Sequence, residues 1–230
     1  SFRNSFRAKF LKLLISSNNK HQFKKSKYPN RHQVEKYNDF VNDILGTDFP
    51  ARKLVLQAIN STLSTHNLKL GINPGASYGS SKRWYPDEFS QVAAELSEKY
   101  DIVIFGGLGE IDMANDIEKS LIEKGVVNYQ NLAGKTSIPE LINQISSLDL
   151  FITGDSGPMH IAATFQIPTV AIFGPTKENE TSQWMNEKSM IVKKNLECQP
   201  CMKRTCPLKH HNCMKMVVAS DVLRAVKTLF

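Results

Sequence analysis

The segment Gly154-Asp155-Ser156-Gly157-Pro158-Met159-His160 brings a carboxylate, a hydroxyl, glycine and an imidazole together where an apolar, strand-like run turns into a helix. The first backbone N–H groups of a helix have no partner inside it, and its peptide dipoles leave partial positive charge there. An opening of this kind suits a diphosphate. Asp155 at its edge can accept from sugar hydroxyls, and His160, one turn in, can reach the same space. Plainer alternatives stand beside both: a helix N-cap for Asp155 and a hydrogen-bonded core imidazole for His160. A second loop, NPGASYGSSKRW from Asn73 to Trp84, gathers small residues that let backbone N–H groups approach an anion, with Lys82 to supply charge. The Walker pattern GxxxxGK[ST] is absent from it, and alone it reads equally well as a solvated turn.

Gly106-Gly107-Leu108-Gly109-Glu110 has the look of a dinucleotide fingerprint but lacks the third glycine at the required spacing. Glu110 at a strand end can instead accept from two ribose hydroxyls, or simply be an acid favoured by a helix start. Gly174-Pro175-Thr176 adds another turn and a hydroxyl. The four cysteines fall within sixteen residues, as Cys198-x2-Cys201-x4-Cys206-x6-Cys213, with His210 and His211 before the last. Three readings stay open for them: a structural zinc held by four thiolates, reduced thiols holding a loop beside the donor site, or a redox-labile pair.

The elements that must position these loops alternate. Apolar, β-branched runs at residues 69–73, 101–105, 126–132, 150–153 and 169–173 predict strands. Helical spacing predicts helices from about 86 to 100, over 111–124, after a cap at Ser137, over 157–165, and to residue 229 after Ser220 and Asp221. Strands apolar throughout and separated by helices imply a parallel sheet covered on both faces. The fold class expected is α/β, with one complete Rossmann-like, doubly wound parallel-sheet domain at residues 61–230, including a Cys-rich loop at 198–213. Ligands of such sheets bind beyond the carboxyl ends of the strands, where all these loops lie.

Residues 1–60 predict two helices, 5–15 and 33–45, with little strand signal. Lys and Arg outnumber Asp and Glu there by 12 to 4, against 17 to 18 over the remainder, so the formal charge of +7 is a property of the front of the chain. The segment 5–15 sets Phe6, Phe10, Leu11, Leu13 and Leu14 among Arg7, Lys9 and Lys12. That pattern fits a packed surface helix, or one drawn to acidic headgroups. No RNA- or DNA-binding pattern accompanies the charge, so nucleic acid is not expected as a partner. Neither a signal peptide nor an apolar run of about 18 residues is visible, which reads as cytoplasmic.

Taken in order, NPGASYGSSKRWYPDEF, FGGLGE, AGKTSIPELINQISSLDLFITGDSGPMHIAA and FGPT resemble glycosyltransferase family 9. The likeness is firm over about 70–230 and looser over 1–45. It implies a GT-B enzyme, with residues 1–60 the C-terminal part of an incomplete N-terminal acceptor-binding domain and 61–230 the nucleotide-sugar domain. It implies inverting transfer of heptose from ADP-L-glycero-D-manno-heptose to the inner core of lipopolysaccharide or lipooligosaccharide. The acceptor implied is a phosphorylated heptosyl-Kdo-lipid A at the inner face of the inner membrane, with the protein peripheral there. No metal cofactor is required. The matching positions put Ser77 and Lys82 at the diphosphate, Glu110 at the ribose and Thr136 near the adenine. Asp155, Ser156, Gly157 and His160 fall at the heptose and phosphates, with Lys82 and Asp155 the catalytic pair. The family's base, an Asp in a Gly-Asp loop early in its first domain, has no counterpart before Asp39, so a truncated chain of doubtful activity is expected. Two other classes remain open: another GT-B sugar-nucleotide enzyme such as an epimerase, and a non-catalytic nucleotide- or nucleic-acid-binding module.

Overall fold

The computed structural model describes residues 2, 6–15, 19–57 and 67–230. These fall into two compact units, Ser1–Lys53 with Asn179–Thr181, and Leu54–Glu178 with Ser182–Phe230. The first unit contains α1 (Phe6–Leu14) and α2 (Gln33–Leu45). The start of α2 is fixed by a reciprocal cap: His32 Nδ1 accepts from the Val34 N–H at 3.2 Å, and Glu35 Oε2 accepts from the His32 N–H at 2.9 Å. Gly46, in the left-handed region at φ 65°, ends it. Its apolar side joins an aromatic cluster in which Phe23 stacks on Tyr28 and meets Tyr37 and Phe40 edge-on.

The same helix buries Lys36, whose side chain is 1% exposed. Its ammonium lies 3.4 Å from Glu180, which Lys25 also reaches at 2.5 Å. Burial opposes ionisation of Glu180, but the hydrogen bond from Lys25 and the charges of Lys25 and Lys36 outweigh it and hold the carboxyl below its usual range.

In the second unit a six-stranded, wholly parallel sheet runs in the order β3-β2-β1-β4-β5-β6. Its strands are β1 (Leu68–Asn73), β2 (Tyr100–Ile104), β3 (Tyr129–Asn131), β4 (Leu150–Gly154), β5 (Thr169–Ile172) and β6 (Ser189–Val192). The connecting helices are α3 (Pro86–Leu96), α4 (Ile111–Glu123), α5 (Ile138–Ser146) and α6 (Gly157–Thr164); the short α7 (Glu178–Thr181) follows β5, its last three residues counted with the first unit. After β6 come α8 (Asn212–Lys215) and α9 (Ala219–Leu229). Chain order reverses between β1 and β4, the crevice where doubly wound sheets bind ligands.

Both faces of the sheet are buried, by the two-residue period of its strands. Leu70, Ile72, Ile102, Ile104, Leu150 and Ile152 point to one core with Trp84, Phe89 and Leu121. Val103, Phe105 and Phe151 point to the other, with Ile145 and Leu148. Gly71 lies between these last side chains: a Cβ there would meet Leu148, stand 2.8 Å from Phe151 and 3.0 Å from Phe105. A larger residue would push the centre of the sheet apart.

The fold class follows the expectation, while several boundaries differ. The helix expected to reach residue 100 stops at Leu96, because Tyr100 is buried in the core and pairs with Leu68 as the first residue of β2. The strand expected over 126–132 contracts to Tyr129–Asn131. Asn128 donates its side-chain amide to the carbonyls of Ser97 and Tyr100 and so delays entry into the sheet. The last helix starts at Ala219, with Val218 as its cap and Asp221 accepting from the Val218 N–H at 3.2 Å. The edge strand β6 was not expected, since only Val192 of its four residues is buried. Among the described residues no helix is long and apolar enough to cross a membrane.

Glu180 yields a stability prediction. Its carboxyl is depressed in the folded state, so its contribution is present above the ordinary carboxylate pKa and is lost as pH falls through the folded value. At pH 7, Glu180→Gln is expected to cost about 3 kcal/mol in urea unfolding, because Lys36 is left buried and unpaired. Adding Lys36→Met should restore most of that. Equal losses in the single and double variants would show that the pair is not the source.

Candidate functional site

The loops that follow β1 and β4 leave adjacent strands at the crevice. Asn73 and Thr153 are paired across β1 and β4, and the Asn73 amide donates to Thr153 Oγ1 at 3.3 Å and to Ser156 Oγ at 3.2 Å. Thr153 and Ser156 hydroxyls also meet at 3.0 Å. Ser156 is the N-cap of α6, yet its side chain makes no cap hydrogen bond, being turned to Asn73 and Thr153 instead. The position a Cβ would take on Gly157 has nothing within 4 Å. Gly157 in the first turn of α6 therefore faces unfilled space, at the helix end where partial positive charge gathers, and Ser156 does not cap that end.

Lys82 closes the other side. A single turn of 3-10 helix, Ser80–Lys82, ends the glycine- and serine-rich loop and sends the ammonium to Asp155. It lies 2.5 Å from Oδ2 and donates to the Asp155 carbonyl at 3.2 Å. Both side chains are largely withdrawn from water, 11% and 6% exposed. Thr176 donates its hydroxyl to the same Asp155 oxygen at 2.6 Å. The Lys82 ammonium stands 4.8 Å from the centre of the Tyr78 ring, which Arg204 also approaches. A desolvated ammonium, an oriented carboxylate and a helix opening thus share one place.

Glu110 ends the 3-10 turn Leu108–Glu110 after β2. It accepts from the Gly107 N–H at 2.9 Å and faces Arg83 at 3.6 Å. The Arg83 Nε is the one buried side-chain nitrogen or oxygen without a hydrogen-bond partner among the described residues. Gly75 lies directly against Glu110, and a Cβ there would collide with its side chain. The two loops consequently touch at a glycine whose replacement would displace Glu110.

Of the residues singled out in the sequence, Lys82 and Asp155 are paired directly, Ser156 follows Asp155 and is tied to the end of β1 through Asn73, and Gly157 is next in line. His160 is half-buried in the first turn of α6. Glu110 adjoins this group through Arg83, the residue after Lys82. Ser77 is exposed on the same loop as Lys82, and Thr136 is half-buried on the loop after β3, beyond β2 from Lys82. Sequence reasoning missed Asn73, Thr153 and Tyr78, and noted Thr176 only as a nearby hydroxyl. Polar residues at the ends of otherwise apolar strands were the available signal for Asn73 and Thr153.

The Cys-rich segment packs against these loops. Tyr78 donates to the Met202 carbonyl at 2.8 Å and Ser81 Oγ to the Lys203 carbonyl at 2.5 Å, while the Ser81 N–H donates to the Arg204 carbonyl at 3.1 Å. Gln199 donates to the Gly174 carbonyl, and the Met202 N–H to that of Pro175. All four cysteines are unpaired. Burial, followed by the nearby Cys201, Cys198 and Cys206, pushes the Cys213 thiol up to about 11. Among the described residues no three His, Cys, Asp or Glu side chains already stand in a metal-holding arrangement.

The sequence model of glycosyltransferase family 9 (heptosyltransferase) matches residues 1–212. The chain belongs to this family. It is 42% identical over 235 residues to lipooligosaccharide heptosyltransferase 2 of Campylobacter jejuni, covering all of this chain and 73% of that protein. Among solved structures it resembles Escherichia coli ADP-heptose lps heptosyltransferase II, with 27% identity and a TM-score of 0.62 over 73% of this chain and 48% of that one. The glycosyl transferase family 9 structure from Veillonella parvula, 21% identical, shares the fold with a TM-score of 0.75 over 94% of this chain and 64% of that one. The family 9 chain is thus a glycosyltransferase with a GT-B-like Rossmann domain.

The glycines separate packing from function. Gly75→Ala should cost about 1 to 3 kcal/mol in chemical denaturation, since Glu110 must move, whereas Gly157→Ala should stay within about 0.5 kcal/mol of the parent. A neutral Gly75→Ala would show that Glu110 is not held where it stands.

Proposed function

We propose that this family 9 chain carries the donor half of a heptosyltransferase that moves heptose, with inversion, from ADP-L-glycero-D-manno-heptose to the inner core of lipopolysaccharide or lipooligosaccharide. The observation that carries the reading is the desolvated Lys82 ammonium beside the open first turn of α6, both at the crevice between β1 and β4. In this reading the diphosphate lies across that opening, with Ser77, Lys82, Ser156 and Gly157 around it. Glu110 accepts from the ribose hydroxyls and Thr136 borders the adenine. Asp155, held by Thr176, and His160 meet the heptose.

Inverting transfer needs an acceptor hydroxyl to be deprotonated on one face of the sugar while ADP leaves from the other. Charge grows on the departing diphosphate as the bond breaks. An ammonium and helix N–H groups already aimed at that position stabilise it without reorganisation. These protein groups supply the positive charge, so the reading requires no metal for transfer, and a structural zinc on Cys198, Cys201, Cys206 and Cys213 would take no part in it.

Residues 1–60 are assigned in the same proposal to the C-terminal part of the acceptor-binding domain, and 61–230 to the donor domain. The acceptor proposed is a phosphorylated heptosyl-Kdo-lipid A, met at the cytoplasmic face of the inner membrane. Support comes from the basic excess of the front segment and from α1 and the residue after it, where Phe10, Leu11, Leu13, Leu14 and Ile15 are all exposed. Apolar side chains beside lysine and arginine suit an anionic lipid surface.

Calorimetry with ADP and ADP-heptose tests the donor site. Lys82→Ala should weaken ADP binding at least tenfold, and Gly157→Ala should weaken it several-fold without loss of stability. Asp155→Asn should spare ADP while reducing the preference for ADP-heptose. Unchanged ADP affinity in Lys82→Ala would reject the diphosphate assignment.

A further inference from the structure

The nineteen residues 193–211, between β6 and α8, contain neither helix nor strand. Connections of that length are uncommon inside a compact domain and need something other than a backbone ladder to hold them. This one holds several of the carbonyls on which the Lys82 loop rests. Tyr78, the Ser81 hydroxyl and the Ser81 N–H all donate into the 202–204 backbone. Gly79 sits so close to the Arg204 carbonyl that a side chain there would collide with it.

The four cysteines are the means available. Cys198, Cys201, Cys206 and Cys213 line one small, enclosed cavity of about 20 Å³, together with Ser81, Pro175, His210 and His211. Two of these neighbours, Ser81 and Pro175, belong to the loops after β1 and β5. His211 is committed elsewhere, with Nε2 at 2.9 Å from the Ser81 carbonyl and Nδ1 at 3.0 Å from the Tyr85 hydroxyl. His210 Nδ1 accepts from the Asn212 N–H at 3.0 Å. Besides the two histidines, the metal-ligating residue types that line the cavity are the four cysteines. A cavity near the size of one water, lined by four cysteines, is small enough for a closed tetrahedral site, and sulfur ligands select zinc(II) or iron(II) over hard cations.

We infer that Cys198, Cys201, Cys206 and Cys213 form a tetrathiolate site for one zinc(II) or iron(II) ion, and that loading it fixes the 193–211 segment against the donor loop. Among the described residues no three such side chains already stand in a metal-holding arrangement, so loading draws the thiols inward. Each ligating thiol gives its proton to solvent, and no electron is transferred. The metal makes no contact with the sugar nucleotide. Its effect on the donor is exerted through Met202, Lys203 and Arg204. The second clause rests on the donor-site reading above, while the first does not.

Elemental analysis of the intact chain, purified without chelator under reducing conditions, is the first measurement. About one equivalent of zinc or iron is expected, the element found deciding between them, and Cys198→Ser/Cys201→Ser should remove it. Stripping the metal should weaken ADP binding about tenfold, with recovery on reloading. Should the double variant fail to fold, the stripped parent is titrated with cobalt(II). Intense thiolate-to-metal absorption saturating at about one equivalent is expected, and its absence overturns the site. Protein that neither carries nor takes up these ions while binding ADP through Lys82 sinks the metal site and leaves the donor reading standing. A loaded site in a chain that does not bind ADP does the reverse. Equal ADP affinity in loaded and stripped protein overturns the bracing role.

Discussion

Lys82 and Asp155 are 73 residues apart in sequence and 2.5 Å apart in space, both nearly shielded from water. Neither charge is tolerable there alone, since a buried ion without a partner costs several kcal/mol. The pair is therefore weak evidence of stability and strong evidence of placement. The two loops are obliged to meet, and they can do so only if β1 and β4 are neighbours. Topology and site are in this sense one constraint: the reversal of chain order that places β4 beside β1 also brings the ammonium to the opening of α6.

Thr176 extends that constraint to β5. Its hydroxyl occupies one lone pair of the carboxylate oxygen that Lys82 also touches, so three loops from three adjacent strands converge on a single oxygen atom. Asp155 is consequently fixed in direction as well as charge. A carboxylate held in this way can discriminate between hydroxyl arrangements, which a freely rotating one does poorly.

The sheet was legible in the sequence because its strands are apolar on both faces, as Asp101 to Phe105 and Thr169 to Phe173 show. The helix start at Ile138 was legible from its polar cap, Ser137. The loops of the candidate site stood out too, since small and charged residues interrupt the apolar pattern where a strand ends. What escaped was everything set by distance in space. Nothing local to SMIV marks an edge strand, because three of its four side chains stay half-exposed and its pairing is decided by β5. The meeting of Lys82 with Asp155, the Tyr78 ring beneath the ammonium and the shared cavity of the cysteines likewise depend on strand order, which residue spacing does not encode. The cap at Ser220 and Asp221 was misread by two residues because Asp221 serves as the third helical residue reaching back to Val218.

Trp84 ends the glycine- and serine-rich loop, fully buried, with its indole N–H on the Val217 carbonyl at 2.8 Å and its ring edge-on to Phe89. At the other end Asn73 is pinned to β4. A loop clamped at both ends cannot swing as a lid, and its middle is held as well, by Tyr78 on the Met202 carbonyl and by Gly79 against Arg204. Whatever small molecule enters must therefore fit an aperture whose rim is set by the hydrophobic core, so that the breadth of what it accepts is governed by packing far beneath the surface it touches.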